Sequence, residues 1–206
     1  LGLDPTSHIG VHLSQCGFEP YERDDGLNPT ERIKARPIAY NDYMRDKGYD
    51  GENPWHDWAN AADGPDGELL SGWLLAHADK PARAKEEDTE TPYMTRRAME
   101  FISEAEDRGD RWCCHLSLIK PHWPYVAPAP YHDMYGQDAL IPAVRHELER
   151  QNPHPVYGAF MQQRPAQVFS RDGVREHVLP AYMGLIKQID DQMGVLMAFL
   201  EERGLL

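Results

Sequence analysis

The segment Lys120-Pro121-His122-Trp123-Pro124-Tyr125 carries the residue types in this sequence that are best suited to chemistry. Prolines restrict the backbone on both sides of His122, which suits a side chain that must be placed accurately. Near neutral pH an imidazole can donate a hydrogen bond to an anion or give a proton to a leaving oxygen. Lys120 can add a positive charge that attracts phosphate or sulfate. The alternative is a turn histidine that bonds only to the backbone, and the spacing alone leaves both interpretations open.

The three cysteines, Cys16, Cys113 and Cys114, do not form the pattern of a disulfide framework. An odd number without a Cys-x-x-Cys spacing indicates a reducing compartment, and we expect a cytoplasmic protein. Zinc binding by Cys113, Cys114 and His115 is disfavoured, because adjacent side chains on a strand point to opposite faces and cannot converge on one metal.

Other candidates for catalysis lack the spacing that such sites require. His146-Glu147 and His154 do not form a His-Glu-x-x-His pattern, and we predict that they are surface residues. Ser71 and Ser170 lie outside a Gly-x-Ser-x-Gly context, which leaves a serine hydrolase unsupported. We therefore assign no metal ligands to this chain.

Three motifs resemble segments of the sulfatase family of the alkaline phosphatase superfamily. The segment Lys120–Tyr125 is similar to the family's Lys/Arg-Pro-His-x-Pro-Phe/Tyr pattern, and Pro128–Tyr135 is closest to the phosphonate monoester hydrolases. Upstream, Asp88-Thr89 and Thr95–Ile102 resemble the family's Asp-Thr…Thr-x-x-Ala-x-x-Phe/Tyr-Ile/Leu helix. Downstream, Tyr182–Gly194 resembles its Tyr-x-x-x-Ile-x-x-x-Asp-x-x-x-Gly helix.

This resemblance implies hydrolysis of a phosphonate, phosphate or sulfate ester by a formylglycine nucleophile beside a divalent metal ion. His122 matches the family histidine that contacts the transferred group or protonates the leaving oxygen. Lys120 and Tyr125 are the substrate-binding residues that it implies. The resemblance implies three partners: a small-molecule ester, the rest of the same polypeptide and other copies of the protein in a homo-oligomer.

The sequence also departs from the family pattern. None of its cysteines is followed by x-Pro-x-Arg, and neither an Asp-Asp metal pair nor an Asp-His-Gly motif is present. Asp190 and Asp191 match helix positions, and we assign them a structural role. The chain begins without Met and stops just after Gly204. We therefore expect an internal fragment that is inactive alone, with the formylglycine and the metal ion bound outside it.

The elements that must position these motifs form an α/β unit. Apolar residues at helical spacing predict a helix over about 92–107, with Thr91 as its N-cap, and a longer one over 174–203. The apolar run Trp112–Ile119 predicts a strand buried on both faces, whose partners would lie outside this chain. Four prolines make 120–135 a stiff loop after that strand. The resemblance implies a fragment of an alkaline-phosphatase-like α/β sandwich, with few strands of its own and a long C-terminal helix.

The sequence divides into a turn- and aromatic-rich insertion segment, 1–84, and a helix-strand-loop-helix part, 85–206. Within the first segment we expect a strand or short helix around Ile38–Met44 and an amphipathic piece at Leu69–His77. Its aromatic residues either pack on a larger body or line an ester pocket, and packing is favoured. We interpret the charged run Lys85–Thr89 as solvated, and 136–172 as irregular apart from a helical turn at Arg145–Arg150.

Charge and hydropathy exclude two classes of function. The 206 residues carry a net charge of -13 with no basic run, which argues against binding nucleic acid. No apolar run is long enough to span a membrane. The alternative to a hydrolase is an acidic interaction module that docks a partner protein through exposed aromatics, namely Trp55, Trp58, Trp123 and Tyr125.

Overall fold

The computed structural model describes residues 18–19, 21–22 and 38–206. Cys16 and the first part of the predicted insertion segment lie outside the described residues. The chain forms two compact units: the first contains residues up to 59, 84–120 and 189–206, and the second contains 60–83 and 121–188. The division predicted at residue 84 stays a prediction.

The first unit is helical. Helix α1 spans Ala39–Asp46, a short π-helical turn spans Trp55–Ala59, and a 3-10 turn at Glu86–Asp88 leads into α2, Glu90–Arg108. The segment near Ile38 is therefore a helix rather than a strand. Tyr40 and Met44 lie one turn apart on α1 and are both fully buried, which explains this outcome.

Helix α2 confirms the predicted helix, although it begins two residues earlier, with Thr89 in place of Thr91 at the N-cap. Pro92 lies in the first turn, where a missing N–H costs no hydrogen bond. Gly109 ends the helix with φ +71°, and its N–H contacts the carbonyls of Ala105 and Glu106.

The strand predicted at Trp112–Ile119 stays a prediction, because its expected partners lie outside this chain. These residues form no ladder with any described residue. The side chains from 111 to 118 alternate between exposed and half-buried, so burial on both faces is not present among the described residues.

The second unit contains the strands of the described residues. Strand β1, Ala61–Asp63, pairs antiparallel with β2, Leu69–Ser71, so that Ala62 lies opposite Leu70. The piece predicted as amphipathic at Leu69–His77 is instead this strand, a turn and a 3-10 turn at Leu75–His77. Antiparallel pairing with β1, which is joined to β2 by a short connection, outweighs the helical pattern of this piece.

The loop 120–135 contains a 3-10 turn at Tyr131–Asp133. The region between this loop and the last helix is more helical than predicted, with a 3-10 turn at Gln137–Ala139 followed by α3 (Leu148–Gln151), α4 (Pro155–Met161) and α5 (Arg164–Phe169). Only α3 overlaps the predicted helical turn. A proline lies in the first turn of both α4 and α5, where it is favoured. The prolines predicted to interrupt regular structure in 136–172 therefore also begin helices.

Helix α6, Val174–Glu202, confirms the predicted long helix and runs through Pro180 without ending. Its buried residues Val178, Ala181 and Leu185 recur at three- and four-residue spacing and pack in the second unit. Gly204 follows the helix with φ +68°, as its predicted capping role requires. Within the described part of the chain, none of the helices combines the length and apolar character needed to cross a membrane.

Candidate functional site

The proline-rich loop that carries His122 is held on one side by the segment around β1 and β2. The backbone N–H of Ala82 donates to the carbonyl oxygen of Ala127 at 2.9 Å. The N–H of Gly72 donates to the carbonyl of Asn60, and a Cβ at position 72 would collide with that carbonyl and with the side chain of Val126. Only glycine therefore permits this turn to pack against the loop.

Residues 174–188 of α6 hold the other side of the same loop. Ala127 and Tyr131 form a buried cluster with Leu185 of the helix. The carbonyl group of Tyr131 lies so close to Gly184 that a Cβ at this position would collide with it. The loop is thus fixed between two elements of its own unit, as a site that places a catalytic group must be.

His122 is exposed on this loop, and its Nδ1 lies 2.6 Å from the backbone carbonyl oxygen of Trp123. Because a carbonyl oxygen can only accept, Nδ1 carries the hydrogen of this bond. The other ring nitrogen, Nε2, is then the atom that a ligand can reach. Two buried nitrogen atoms in the same loop, Nε1 of Trp123 and Nδ1 of His132, have no hydrogen-bond partner among the described residues.

Tyr125 lies in the same unit as His122. Its ring packs edge-on against Tyr182 of α6, with centroids 5.9 Å apart, and against Phe169 of α5, at 6.2 Å. Burial, together with the neighbouring Tyr182, raises the pKa of the Tyr125 phenol. Tyr125 therefore stays protonated at neutral pH and keeps a hydroxyl hydrogen that can be donated to an anion.

Lys120 belongs to the first unit and is buried. Its Nζ lies 3.6 Å from Oε2 of Glu90, and the two side chains are only 5% and 3% exposed. The other carboxylate oxygen of Glu90 accepts a hydrogen bond from the indole N–H of Trp55. The charge of Lys120 is thus already balanced by Glu90, and the structure does not present it to solvent.

A second polar cluster, around Asp88, escaped the sequence analysis. Asp88 is buried rather than solvated, because the hydroxyls of Tyr43 and Tyr49 donate to its carboxylate at 2.5 and 2.9 Å. Tyr40 donates to its backbone carbonyl at 2.8 Å, and Arg96 donates to the Tyr43 hydroxyl. These bonds replace the water that the charged run would otherwise attract. The signal in the sequence for this arrangement is weak, since the three tyrosines at positions 40, 43 and 49 lie about forty residues before Asp88.

The described residues do not fit a metal site. No group of three or more His, Cys, Asp or Glu side chains in the described ranges is placed to hold a metal ion. Cys113 is exposed whereas Cys114 is half-buried, as expected for neighbours that point to different sides, and burial raises the pKa of the Cys114 thiol. No reaction step is therefore assigned to a metal ion or to a modified cysteine in the described residues.

Most aromatic side chains of the described residues pack rather than line a docking surface. Trp55 and Tyr40 are fully buried, and Tyr49 packs against Trp58 with the ring centroids 5.3 Å apart and the planes tilted by 59°. These contacts favour a packing role for the aromatics between residues 40 and 58. The burial of Trp55 also removes it from the surface through which an interaction module would dock a partner.

Comparisons with known proteins now bear on the class of this chain. No family model matches it. A multifunctional alkaline phosphatase superfamily protein, PehA from Trinickia caryophylli, is 31% identical over 142 residues, covering 61% of this chain and 26% of the relative. The phosphonate monoester hydrolase SpPMH from Silicibacter pomeroyi superposes with a TM-score of 0.70 at 22% identity, covering 99% of this chain and 39% of that one.

The sequence similarity to PehA confirms the predicted resemblance to the alkaline phosphatase superfamily. The superposition on SpPMH shows that this chain shares part of its fold with a phosphonate monoester hydrolase. The fold is also confirmed: a helix-rich part of an alkaline-phosphatase-like structure, with a two-stranded sheet and a long C-terminal helix among the described residues. The chain spans about a quarter of the length of PehA and 39% of the solved structure. What either protein hydrolyses is a property of that protein.

Proposed function

We propose that this chain is part of a hydrolase of the alkaline phosphatase superfamily that cleaves a phosphonate, phosphate or sulfate ester. The observation that carries the proposal is the geometry of His122. Its imidazole is exposed on a loop that is fixed from two sides, and its Nδ1 is engaged by the Trp123 carbonyl at 2.6 Å. The remaining nitrogen, Nε2, is suited to meet the oxygen of a bound ester.

In this proposal His122 protonates the leaving oxygen. The imidazolium carries hydrogen on both nitrogens, and Nε2–H gives its proton to the alcohol or phenol oxygen as the bond from phosphorus or sulfur to that oxygen breaks. The ring that remains is neutral and keeps its hydrogen on Nδ1. The hydrogen bond to Trp123 can therefore persist through the transfer, and the ring needs no reorientation.

Tyr125 is a proposed substrate contact, and Lys120 is proposed as a substrate-binding residue from the family resemblance alone. The protonated Tyr125 hydroxyl can donate to a non-bridging oxygen of the ester. Lys120 can contribute its charge directly only if its pair with Glu90 rearranges, because both side chains are buried. The formylglycine nucleophile and the divalent metal ion are proposed to come from outside this chain, and no step here is derived through them.

The protein's setting is part of the same proposal. The free thiols of Cys113 and Cys114 support a reducing, cytoplasmic location. A homo-oligomer is proposed from the family resemblance alone. The binding-module alternative gains no support, since Trp55 is buried and Trp58, Trp123 and Tyr125 are only partly exposed.

The test is an ester panel with matched histidine variants. Purified full-length protein is assayed with aryl phosphonate monoesters, phosphate esters and sulfate esters, alongside His122→Ala and, as control, His146→Ala. His146 is exposed in the same unit. We expect turnover of at least one ester class and little change in the control. His122→Ala should lose about 10²–10⁴-fold with esters whose leaving alcohol must be protonated. Absence of turnover for all three classes, or unchanged turnover of such an alkyl ester in His122→Ala, would contradict the proposal.

A further inference from the structure

We infer that Trp73 is a positioning residue for His122, acting through Trp123. The inference rests on the proposed function, because it concerns the orientation of the histidine assigned there. It connects the segment after β2 with the proline-rich loop, two parts of the chain that are about fifty residues apart.

The first step is the hydrogen bond that orients the imidazole. The Trp123 carbonyl accepts from Nδ1 of His122 at 2.6 Å, so the neutral ring carries its hydrogen on Nδ1 and a lone pair on Nε2. This bond exists only while the peptide that contains the Trp123 carbonyl keeps its orientation. The contacts that fix residue 123 therefore also determine the tautomer and the orientation of the His122 ring.

The second step is the contact that holds residue 123. The ring centroids of Trp73 and Trp123 lie 4.3 Å apart, with the planes at 78°, which is the edge-to-face geometry that aromatic pairs prefer. The next residue in the chain, Pro124, is fully buried. Residue 123 is therefore held by the buried backbone that follows it and by the contact of its indole ring with Trp73.

The third step is the anchoring of Trp73 itself. It directly follows Gly72, whose N–H bonds to the Asn60 carbonyl and whose missing side chain leaves room for Val126 of the same loop. The Trp73 backbone N–H also contacts Oγ of Ser71 at 3.3 Å. Trp73 therefore extends from a turn that is packed against the loop. Its ring has a fixed position, and it can restrict the position of the Trp123 ring that contacts it.

The test reads the tautomer directly and does not depend on turnover. The protein is labelled with ¹⁵N-histidine and studied by NMR. The signals of the two His122 ring nitrogens are identified because they are absent from the spectrum of His122→Ala. We expect wild-type His122 in its neutral form to carry its hydrogen on Nδ1. Trp73→Leu, which keeps apolar volume but has no aromatic ring, should shift the ring toward hydrogen on Nε2, whereas Trp73→Phe should retain the wild-type tautomer.

The kinetic counterpart separates positioning from a merely structural role. In the full-length protein we expect Trp73→Leu to lower kcat by about tenfold with KM within about twofold, and Trp73→Phe to restore kcat, because a misplaced proton donor affects the transition state more than binding. Wild-type His122 with its hydrogen on Nε2, or an unchanged tautomer in Trp73→Leu, would overturn the inference. If Trp73→Leu does not fold, Trp73→Met, which also lacks an aromatic ring, takes its place in both measurements. A correct tautomer with unchanged turnover in His122→Ala would instead remove the proposed function.

Discussion

The ammonium group of Lys120 lies 3.6 Å from Oε2 of Glu90, and both side chains are almost inaccessible to solvent. A cation next to a histidine in a loop would ordinarily be taken as an anion-binding group. Here its charge is balanced inside the first unit, by a carboxylate on the first turn of α2. Burying two charges is costly, and removing one of them leaves the other without its balance.

Replacing Glu90 should therefore cost stability. We expect Glu90→Gln to lower the free energy of unfolding by about 3–5 kcal/mol, since the amide can still accept from Trp55 but no longer balances Lys120. The combined change Glu90→Gln with Lys120→Met should cost less than the sum of the single changes. Urea unfolding followed by circular dichroism measures both. Additive effects would show that the two side chains are not coupled.

The carboxylate of Asp88 should contribute to stability through its tyrosine partners. In Asp88→Asn one of the two hydroxyl donors, Tyr43 or Tyr49, meets an amide N–H₂ group instead of an acceptor. We expect a loss of about 1–3 kcal/mol in the free energy of unfolding. The matched control is Asp42→Asn, whose partner Arg45 is exposed, and which should cost less than about 1 kcal/mol. An equal loss in the free energy of unfolding for Asp88→Asn and Asp42→Asn would contradict a stabilising role for the tyrosine hydrogen bonds to Asp88.

The same tyrosines predict a loss of stability at alkaline pH. Burial, followed by the hydrogen bonds to Asp88, raises the pKa values of Tyr43 and Tyr49. The folded protein therefore holds these protons more tightly than the unfolded chain, so the free energy of unfolding should fall as pH rises above about 10. Tyrosinate absorbance should show at least two phenols ionising late, and Asp88→Asn should lower the pKa of Tyr43. Simultaneous ionisation of all tyrosines in the folded protein would argue against the cluster.

Two glycines of α6 should respond in opposite directions to the same substitution. A Cβ at Gly184 would collide with the carbonyl of Tyr131, whereas one at Gly194 would meet nothing within 4 Å. We expect Gly184→Ala to destabilise the protein by about 1–3 kcal/mol. Gly194→Ala should stabilise it by about 0.5–1 kcal/mol, because alanine is the better helix former. Thermal unfolding distinguishes them, and a stable Gly184→Ala would show that the loop does not pack on the helix as described.

The helices and the loop were predictable because their causes are local. Apolar residues one turn apart and capping residues at the ends identified α2 and α6, and four prolines identified the loop around His122. The motifs within them also carried the resemblance to the alkaline phosphatase superfamily. These signals lie within a few residues of one another, so a single sequence contains them.

The features that failed depend on contacts distant in sequence. The burial of Asp88 requires tyrosines about forty residues upstream, and the support of Trp123 requires Trp73, some fifty residues away. Trp112–Ile119 has the composition of a strand, but whether it forms one depends on a neighbour. The satisfied charge of Lys120 likewise depends on Glu90, thirty residues earlier. Composition alone therefore missed the burial of Asp88 and the ion pair between Lys120 and Glu90.

The role of His122 is tested most directly by the dependence of turnover on the leaving group. A series of aryl and alkyl esters is assayed with the full-length wild-type protein and with His122→Ala. We predict that the variant loses little activity with a phenol that leaves readily as an anion and about 10²–10⁴-fold with an alcohol that must be protonated. An equal loss across the series, or no loss, would contradict His122 as the proton donor.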